Sequence, residues 1–488
     1  MEFLSTRGGA AVTAAQAIVQ GICPSGGLYV PASFPQLDVE TLLGGGYREA
    51  AFAVMSRYLT DTDADELRGM IDAAYRNFDD PAVTPVRPLD GRESVLELWH
   101  GPTMAFKDVA LQMLPYLMCD ALKLTGEDRK IYILVATSGD TGKAALAGFC
   151  DVPGTRVLVF YPDGGVSRAQ RLQMVTQEGD NVDVCAVRGN FDDAQTGVKR
   201  IFASAEARET LDRLGYRLSS ANSINFGRLL PQIVYYFTSY ATLRRTGRVA
   251  AGEPVNFCVP TGNFGDILAG YYAKRMGLPV RRLLCASNRN NVLTEFFDTG
   301  VYNDRRPFYR SMSCSIDILI SSNLERLLFE LCGRDASQVG AWMRSLSETG
   351  TYEIGESRRE ALADLFTAGW CDEQDTLATI RRVYDAHGYL MDPHTAVAQT
   401  VYERYADRTG DATQTILLST ANPYKFATDV LSVFETPGDD DFENADRLHA
   451  LTGMPVPRGL SELLDKPERH LDVCDLQQMQ QRVIAPVR

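Results

Sequence analysis

Short apolar runs alternate with amphipathic stretches through the middle of this 488-residue chain. Runs rich in β-branched residues, such as 130–137 (KIYILVAT) and 155–162 (TRVLVFYP), predict strands. The stretch 166–179 (VSRAQRLQMVTQEG) has helical spacing and ends at a glycine, as a helix would. The same alternation continues through VDVCAV, FDDAQTGVKRIFAS, VNFCVPT, ILAGYYAKRMG, RRLLCAS, QTILLST and ANPYKFATDVLSVF. This order predicts an α/β protein with two open, mostly parallel sheets flanked by helices.

The two ends of the chain differ from this middle part. Residues 1–90 are mainly helical in pattern and are expected to form an extra N-terminal domain, as the resemblance given below implies. The tail 437–488 begins with an acidic run and is expected to be a peripheral segment. Between them we expect a large domain from 91–130 and 225–436, and a smaller α/β domain from 131–224. Ligands bind beyond the carboxyl ends of strands in such sheets, so the loops there are the candidate sites.

Composition narrows the function classes. A formal net charge of −14 and a pI near 5.0 argue against a nucleic-acid surface or a polybasic membrane patch. The ten cysteines are scattered without a C-x-x-C pair, which favours free thiols in a reducing compartment. Neither a secretory signal nor a long apolar stretch is evident. We therefore expect a cytoplasmic protein with a small-molecule substrate, without nucleic-acid or membrane partners, present as a monomer or homodimer.

The stretch LVATSGDTGKAALAG (134–148) has a strand, a glycine-rich turn and a helix, as a P-loop does. A P-loop would require glycine at position 137 and Ser or Thr after Lys143. The chain has Thr137 and Ala144 there, so the P-loop interpretation fails at both ends. The helix start still offers unpaired N–H groups, which favour an anion.

Two further stretches carry chemistry. In HGPTMAFKDVAL, Lys107 begins an apolar helix, where desolvation and the positive helix end would lower its pKa and free its amine for a Schiff base. On this stretch alone, an ordinary surface lysine at a helix start is the favoured interpretation. In VPTGNFGDILAG, the turn formed by Gly262, Asn263, Phe264, Gly265 and Asp266 offers successive N–H groups to a phosphate without a lysine, although an ordinary strand-to-helix loop also fits. Together the two stretches favour pyridoxal 5'-phosphate, whose aldehyde binds an amine and whose phosphate needs backbone donors.

The chain resembles threonine synthases, pyridoxal-phosphate enzymes of the tryptophan-synthase-β-like fold (fold type II). The resemblance rests on STRG, GICPSGGLYVP, HGPTMAFKDVALQ, ATSGDTGKAAL, SINFGRLLPQ, VPTGNFGDILAGYYAKRMGLP, SCSIDILISSNLER and DPHTAVA, in this order from about residue 5 to about residue 430. It implies that the large domain binds the cofactor and that Lys107 forms the Schiff base with it. It also implies that the loop at 262–265 binds the cofactor phosphate.

The resemblance gives the SGDTG loop to the substrate carboxylate and to the ring hydroxyl of the cofactor. That loop comprises Thr137, Ser138, Gly139, Asp140 and Thr141. Related enzymes often have Asn where Asp140 stands, and a carboxylate beside the ring oxygen would need a proton or a bridging donor. The sequence leaves open which of the two it has.

The remaining site residues are expected on three other segments. Thr420, with Ser419 as second choice, is expected to face the pyridine nitrogen, and Asn422 replaces the histidine usual in that motif. Ser223, Asn225 and Arg228 are expected near the substrate, with Arg228 preferred for its phosphate because guanidinium binds phosphate bidentately. Lys143 is a second phosphate candidate and equally an exposed helix-start lysine.

No metal is expected, because His387 and His394 are not spaced as an i, i+4 pair and no H-E-x-x-H occurs. His394 is expected to be structural, and His100 to shape the turn before the lysine.

The resemblance implies conversion of O-phospho-L-homoserine and water to L-threonine and phosphate, with Lys107 as the general base. Two alternatives are considered. A phospho-lyase of the same fold would release phosphate and 2-oxobutyrate, and an ATPase or kinase would use SGDTGK for a nucleotide. Because early steps need dry surroundings and water must enter later, closure of the SGDTG-bearing segment on the rest is expected.

Overall fold

The computed structural model describes residues 1–137 and 139–485. Its strands are β1 (Glu2–Ser5), β2 (Val12–Thr13), β3 (Tyr29–Pro31), β4 (Val86–Pro88), β5 (Glu93–Glu97), β6 (Lys130–Ala136), β7 (Thr155–Pro162), β8 (Val182–Arg188), β9 (Tyr216–Ser219), β10 (Val255–Pro260), β11 (Val280–Ser287), β12 (Val301–Asn303), β13 (Thr351–Glu353), β14 (Phe366–Trp370), β15 (Thr415–Ser419) and β16 (Asp472–Asp475).

The helices are α1 (Ala14–Gln20), α2 (Tyr47–Met55), α3 (Ala64–Ala74), α4 (Lys107–Leu111), α5 (Leu114–Thr125), α6 (Asp140–Phe149), α7 (Arg168–Val175), α8 (Phe191–Ala203), α9 (Ala205–Arg213), α10 (Phe226–Arg245), α11 (Gly265–Arg275), α12 (Val292–Thr299), α13 (Leu324–Leu331), α14 (Ala336–Thr349), α15 (Glu356–Ala363), α16 (Glu373–His387), α17 (Pro393–Thr409), α18 (Ala427–Leu431), α19 (Asp441–Thr452), α20 (Arg458–Ser461) and α21 (Met479–Ile484). Short 3₁₀ turns cover Val39–Leu42, Cys314–Ile316, Pro423–Phe426, Leu463–Asp465 and Leu476–Gln478. Among the described helices, none combines the length and the apolar character that crossing a bilayer requires.

The larger sheet has the order β14-β11-β10-β15-β5-β4 and is parallel except for its edge strand β4. All six residues of β10 are buried, since helices cover both faces of the sheet, and this explains its unbroken apolar run. Parallel pairing places the ends of β10, β15 and β5 at one edge. The loop 261–265 follows β10, residue 420 follows β15, and Lys107 follows β5 after a turn.

The smaller sheet has the order β16-β8-β7-β6-β9, and all its strands are parallel. The SGDTG loop connects β6 of this sheet to α6. Two mostly parallel sheets flanked by helices therefore confirm the predicted fold class. The boundaries predicted at residues 90, 131, 225 and 437 stay predictions.

The N-terminal part contains α1, α2 and α3 and a small antiparallel sheet in the order β2-β1-β3. These strands are two to four residues long, too short to give a periodic signal in the sequence. Helix α1 packs against α5, and α2 packs against α10. The mainly helical N-terminal region is thus attached to helices α5 and α10.

Of the C-terminal segment 437–488, predicted to be peripheral, the described residues up to 485 lie along the smaller sheet and α7. Its strand β16 pairs with β8 at the sheet edge, and Val483 is buried in the apolar cluster of that sheet. Arg171 donates to both carboxylate oxygens of Glu468, at 2.9 and 2.6 Å. Gln173 Nε2 donates to the carbonyl of Gly459 at 3.1 Å. The smaller sheet is therefore completed by a segment from the far end of the chain.

Candidate active site

A tight turn places Lys107 at the first position of α4. The turn carries Met104 at a positive φ of 59° and is held by Asp108, whose carboxylate accepts from the N–H and the hydroxyl of Thr103 at 2.7 and 2.6 Å. A Cβ on Gly101 would lie 2.4 Å from Asp108 Cβ, so this position must be glycine. The G-P-T-x-x-F-K-D sequence is thus the set of residues that this turn needs.

The amine of Lys107 lies in a partly desolvated, charged environment. Its Nζ is 3.2 Å from the hydroxyl of Ser315 and 3.6 Å from Asp140 Oδ2. Burial lowers the pKa of Lys107, Asp140 opposes this, and the cations of Lys425 and Arg228 add to the lowering. A lysine with a lowered pKa is suited to forming a Schiff base with an aldehyde.

The SGDTG loop is organised by Thr137 at the end of β6. Its hydroxyl accepts from the N–H of Gly139 at 3.0 Å and from that of Gly142 at 3.1 Å. Gly139 has a φ of 151°, which favours glycine. Thr141 is half-buried in the first turn of α6. Ser138, also predicted to contact the substrate, lies outside the described residues.

Asp140, at the start of α6 beside the smaller sheet, forms ion pairs with two lysines on the large-sheet side, Lys425 and Lys107. Its Oδ1 is 2.6 Å from Lys425 Nζ, while its Oδ2 is 3.6 Å from Lys107 Nζ and 3.4 Å from the Ser315 hydroxyl. Burial alone would raise the pKa of Asp140, but Lys425, Lys107 and Lys143 hold it well below its usual range. Asp140 is therefore ionised, and the bridging donor that the sequence left open is available from Lys425.

Lys143, weighed in the sequence as a phosphate ligand or an exposed lysine, is buried in α6. Its side chain is 4% exposed and donates to Gln173 of α7. Burial, then the Lys425 cation, holds the pKa of Lys143 well below its ordinary value. The expectation of an exposed helix-start lysine is wrong, because α7 covers this face of α6.

The G-N-F-G loop connects β10 to α11. A Cβ on Gly262 would lie 2.7 Å from the carbonyl oxygen of Ser315. The Ser321 hydroxyl donates to the Gly262 carbonyl at 2.7 Å, and Asn323 donates to the Asn263 carbonyl through its N–H and its amide, at 3.1 and 3.0 Å. The Gly262 and Asn263 carbonyls are thus already bonded to side chains and backbone outside the loop. Because α11 begins at Gly265, the N–H groups of the loop lie at a helix start and have no intrahelical acceptor.

Two further features of this loop fit an anion. Phe264 adopts a left-handed conformation with φ 65°, which turns the chain into α11. Asp266 in the first turn of α11 is buried, and this burial raises its pKa to about 7. The N–H groups of Ile267 and of Asp266 itself, and the Lys107 charge, act in the opposite direction and lower that pKa. A phosphate in the loop would thus meet N–H groups and no strongly acidic side chain.

The end of β15 lies against the lysine turn. The N–H of Phe106 donates to the carbonyl of Thr420 at 2.8 Å. The hydroxyl of Ser419 bonds with Trp99 Nε1 and the Thr395 hydroxyl, each at 3.0 Å. Because Ser419 is engaged in these bonds, Thr420 is the better candidate for a ring-nitrogen partner. Asn422, at the histidine position of the related motif, accepts from the Tyr424 N–H at 3.0 Å and caps a 3₁₀ turn.

The SINFGR residues lie around the start of α10. The amide of Asn225 accepts from the Gly227 N–H and donates to the Ile18 carbonyl, both at 2.9 Å, so it caps the helix and ties it to α1. Arg228 donates to the Ala221 carbonyl at 2.6 Å. Ser223 is half-buried, and its hydroxyl is 3.4 Å from the amide oxygen of Asn222.

Arg228 is the member of this group best suited to an anion. Its side chain is only 3% exposed, and burial lowers its pKa to about 10. Its Nε has no hydrogen-bond partner among the described residues. A buried donor without an acceptor is costly, so an anionic ligand near Arg228 would satisfy it.

Sequence reasoning missed Lys425, Ser315 and the partner of His394. His394 Nε2 accepts from the Ser315 N–H at 3.0 Å, and its Nδ1 bonds to Asp392 Oδ1 at 2.8 Å. His394 thus positions the hydroxyl that contacts Lys107. These residues lie in the SCSID, DPHTA and ANPYKF segments, which were noted in the sequence. The sequence alone does not indicate that these segments meet Lys107 in the fold.

A cleft of about 230 Å³ opens beside Lys425 and is lined by Met104, Gln170 and Cys314 among others. The larger cavity of about 780 Å³, lined by Arg281, Arg408 and Asp411, lies at the amino ends of the large-sheet strands. The smaller cleft is therefore the one next to the candidate chemistry.

His100, which the sequence placed at the turn before Lys107, lies beside that turn. Its Nδ1 bonds to Asp79 at 2.6 Å and its Nε2 to Glu97 at 3.0 Å.

Comparison with protein families gives matches over nearly the whole chain. Residues 2–75 match the family described as "Threonine synthase N terminus", 82–420 match "Pyridoxal-phosphate dependent enzyme", and 395–483 match "Threonine synthase, C-terminal".

Individual proteins give the same result. The chain is 40% identical to a threonine synthase of Pseudomonas aeruginosa over 87% of its length and 89% of that protein. It is 41% identical to threonine synthase-like 1 of Homo sapiens over 86% of its length, but spans only 58% of that relative. A crystal structure of threonine synthase from Brucella melitensis with bound pyridoxal phosphate has 37% identity and a TM-score of 0.90, with all of both chains covered.

Proposed function

The chain belongs to the pyridoxal-phosphate-dependent threonine synthase family, and we propose from this premise that it converts O-phospho-L-homoserine and water to L-threonine and phosphate. The observation that carries the proposal is the meeting of three sites at one place. The first is Lys107, a lysine with a lowered pKa. The second is the glycine loop at 262–265, which begins α11 and is suited to a phosphate. The third is the SGDTG loop, whose Asp140 Oδ2 lies 3.6 Å from Lys107 Nζ.

The residues present fit the cofactor. Lys107 would hold its aldehyde, and Gly262, Asn263, Phe264 and Gly265 would hold its phosphate through backbone N–H groups. Asp140 and Thr420 would face the ring. When bound, pyridoxal phosphate supplies an electron sink that stabilises negative charge on the substrate carbons.

The substrate residues divide by charge. The start of α6, with Thr137, Ser138, Gly139 and Thr141, would take the amino-acid carboxylate, because helix N-termini favour anions. Arg228 would take the phosphate, which would satisfy its unpartnered Nε. Ser223 and Asn225 stay nearby candidates, with the amide of Asn225 already bonded to the backbone of α1 and α10.

Proton transfers are assigned to Lys107. Burial lowers the pKa of Lys107, which makes its neutral amine more accessible as a base. That amine would remove the proton at Cα and exchange protons at Cβ and Cγ while phosphate leaves from Cγ and water adds at Cβ. The overall balance is one phosphorylated substrate and one water consumed, and one threonine and one phosphate formed. Closure of the SGDTG side on the large sheet would exclude water during the early steps.

A second outcome is kept because the same residues serve it. A phospho-lyase would also need Lys107 and both anion sites but would release phosphate and 2-oxobutyrate. We further propose that the protein works in a cytoplasm as a monomer or homodimer. The ten cysteines, all free thiols, support a reducing compartment.

The test is product analysis with the purified full chain and O-phospho-L-homoserine, quantifying phosphate, threonine and 2-oxobutyrate in one reaction. We expect one threonine for each phosphate. Phosphate accompanied by 2-oxobutyrate would replace the proposal with the lyase, and neither product would contradict both.

The control variant is Lys107→Ala, which removes the base and the Schiff-base amine. We expect its turnover to fall by a factor on the order of 10²–10⁴ and the bound cofactor to lose the absorbance of its imine. Normal threonine formation by this variant would refute the role of Lys107.

A further inference from the structure

The ammonium group of Lys425 lies within the site, although the proposed chemistry does not use it. It belongs to the 3₁₀ turn Pro423–Phe426. Its side chain is 4% exposed. Its Nζ is 2.6 Å from Asp140 Oδ1 and donates to the Thr103 carbonyl at 3.2 Å. The charge is thus fixed between the lysine turn and the SGDTG loop.

Asp140 has two cationic neighbours at different distances. Lys425 is 2.6 Å from one carboxylate oxygen, and Lys107 is 3.6 Å from the other. An ion pair weakens as distance grows, and a second cation beside the anion repels the first. The closer cation therefore limits how tightly Asp140 binds Lys107.

We propose that Lys425 is a positioning residue for the reaction: it takes the Asp140 carboxylate as its own counter-ion, so that Lys107 is not locked into a tight ion pair and keeps an amine free to react. The proposal rests on the proposed function only in naming Lys107 as the reacting amine. Its physical content, competition between two lysines for one carboxylate, is testable without substrate.

The other groups near Lys107 do not replace Lys425. The charged or titratable groups facing Lys107 are Asp140, Lys425, Cys314, Arg228 and Asp266. Lys143 also acts on Asp140, but its side chain donates to Gln173. Arg228 donates to the Ala221 carbonyl. Lys425 is thus the cation in hydrogen-bond contact with Asp140.

The test measures the pH at which Lys107 becomes reactive. The full chain, freed of cofactor, is labelled with acetic anhydride at a series of pH values, and the labelled fraction of Lys107 is read by peptide mass spectrometry. Four proteins are compared: wild type, Lys425→Met, Asp140→Asn, and the double variant.

The expected signs follow from the charges. Lys425→Met removes the cation in hydrogen-bond contact with Asp140 and a positive charge near Lys107, so the labelling midpoint of Lys107 should rise by about one pH unit. Asp140→Asn removes the anion, so its midpoint should fall by a similar amount. The double variant should return to within about half a pH unit of wild type, because the two losses oppose each other.

Two further variants separate charge from packing. Lys425→Arg retains the cation, so it should keep a midpoint near wild type, whereas Lys466→Met, at an exposed pair with Glu462, should leave it unchanged. A rise in Lys425→Met that Asp140→Asn fails to reverse would overturn the proposal, as would no rise at all. If a variant binds no cofactor, this labelling still applies, because it needs none.

The holoenzyme gives a second readout. The pH titration of the bound cofactor's absorbance should shift in the same direction as the labelling midpoint in each variant. Failure of the product test with intact labelling shifts would contradict the proposed reaction and leave the role of Lys425 standing. The reverse result would contradict only the role of Lys425.

Discussion

The two glycine-rich loops of the site look alike in sequence and differ in electrostatics. Each follows a buried parallel strand, begins a helix and carries an aspartate in the first turn, Asp140 in α6 and Asp266 in α11. Yet the pKa of Asp140 is held well below its usual range, whereas burial raises that of Asp266 to about 7. The same local motif thus has an ionised acid in one loop and, in the other, an acid that holds its proton up to about pH 7.

The difference comes from what packs against each loop. Three lysines around Asp140 lower its pKa. At Asp266, backbone N–H groups and then Lys107 lower the pKa, and they do not offset the effect of burial. The loop at 262–265 is held by neutral donors, Ser321 and Asn323, acting on its carbonyls. One loop is thus suited to holding a permanent anion with peptide groups. The other is suited to controlling the charge of a reacting amine.

The largest effect on cofactor binding is expected from Gly262→Ala in the loop at 262–265. The new Cβ would lie 2.7 Å from the Ser315 carbonyl, a backbone atom that cannot swing aside. We expect a loss of about 1–3 kcal/mol in the free energy of unfolding, and a fall in cofactor affinity of roughly tenfold to a hundredfold. Urea unfolding and a cofactor titration would measure the two.

The matched control for that variant is Gly340→Ala in α14, where the added Cβ meets no atom within 4 Å. It should leave cofactor affinity unchanged and stabilise the helix by up to about 1 kcal/mol. Equal behaviour of the two variants would show that the loop does not require glycine at 262.

A second prediction compares the threonines that end β6 and β10. The Thr137 hydroxyl accepts from two N–H groups of its loop, whereas the Thr261 hydroxyl donates to the Val259 carbonyl at 2.8 Å. Thr137→Val should therefore cost about 1–2 kcal/mol in the free energy of unfolding and raise KM for the substrate, and Thr261→Val should cost less.

Thr137→Ser supplies the check on this reasoning, since it retains the hydroxyl and should remain close to wild type in both unfolding and KM. If Thr261→Val proved as damaging as Thr137→Val, then the SGDTG loop would not depend on its threonine as a cap.

Sequence reasoning found the parts that chain neighbours determine. The strands, the glycine loops and Lys107 are all marked by local patterns, because turn chemistry and periodicity act over a few residues. Lys425 lies 285 residues from Asp140, and Ser315 lies 175 residues from it. Their place in the site depends on how two sheets pack, which no local pattern encodes. The buried position of Lys143 was missed for the same reason, since α7 covers it.

The pH dependence of the two aspartates gives the most direct comparison of the two loops. An unfolded aspartate titrates near pH 4, whereas Asp266 in the fold titrates at about 7. The folded state thus keeps its proton while the unfolded state loses it, so this group makes stability fall as pH rises from about 4 to about 7. Asp266→Asn should flatten that slope and gain up to about 4 kcal/mol at pH 8, since each of the roughly three pKa units is worth about 1.4 kcal/mol. Urea unfolding of the cofactor-free chain at several pH values would show it.

Asp140→Asn should do the opposite in the same experiment. Its folded pKa is lowered, so the ionised form contributes stability that is present above about pH 4 and is lost as the pH falls further. The variant should therefore be less stable than wild type at pH 8, while Asp266→Asn is more stable. Shifts of the same sign in both variants would mean that the lysines around Asp140 do not set its charge. The difference between the two loops would then reduce to backbone geometry alone.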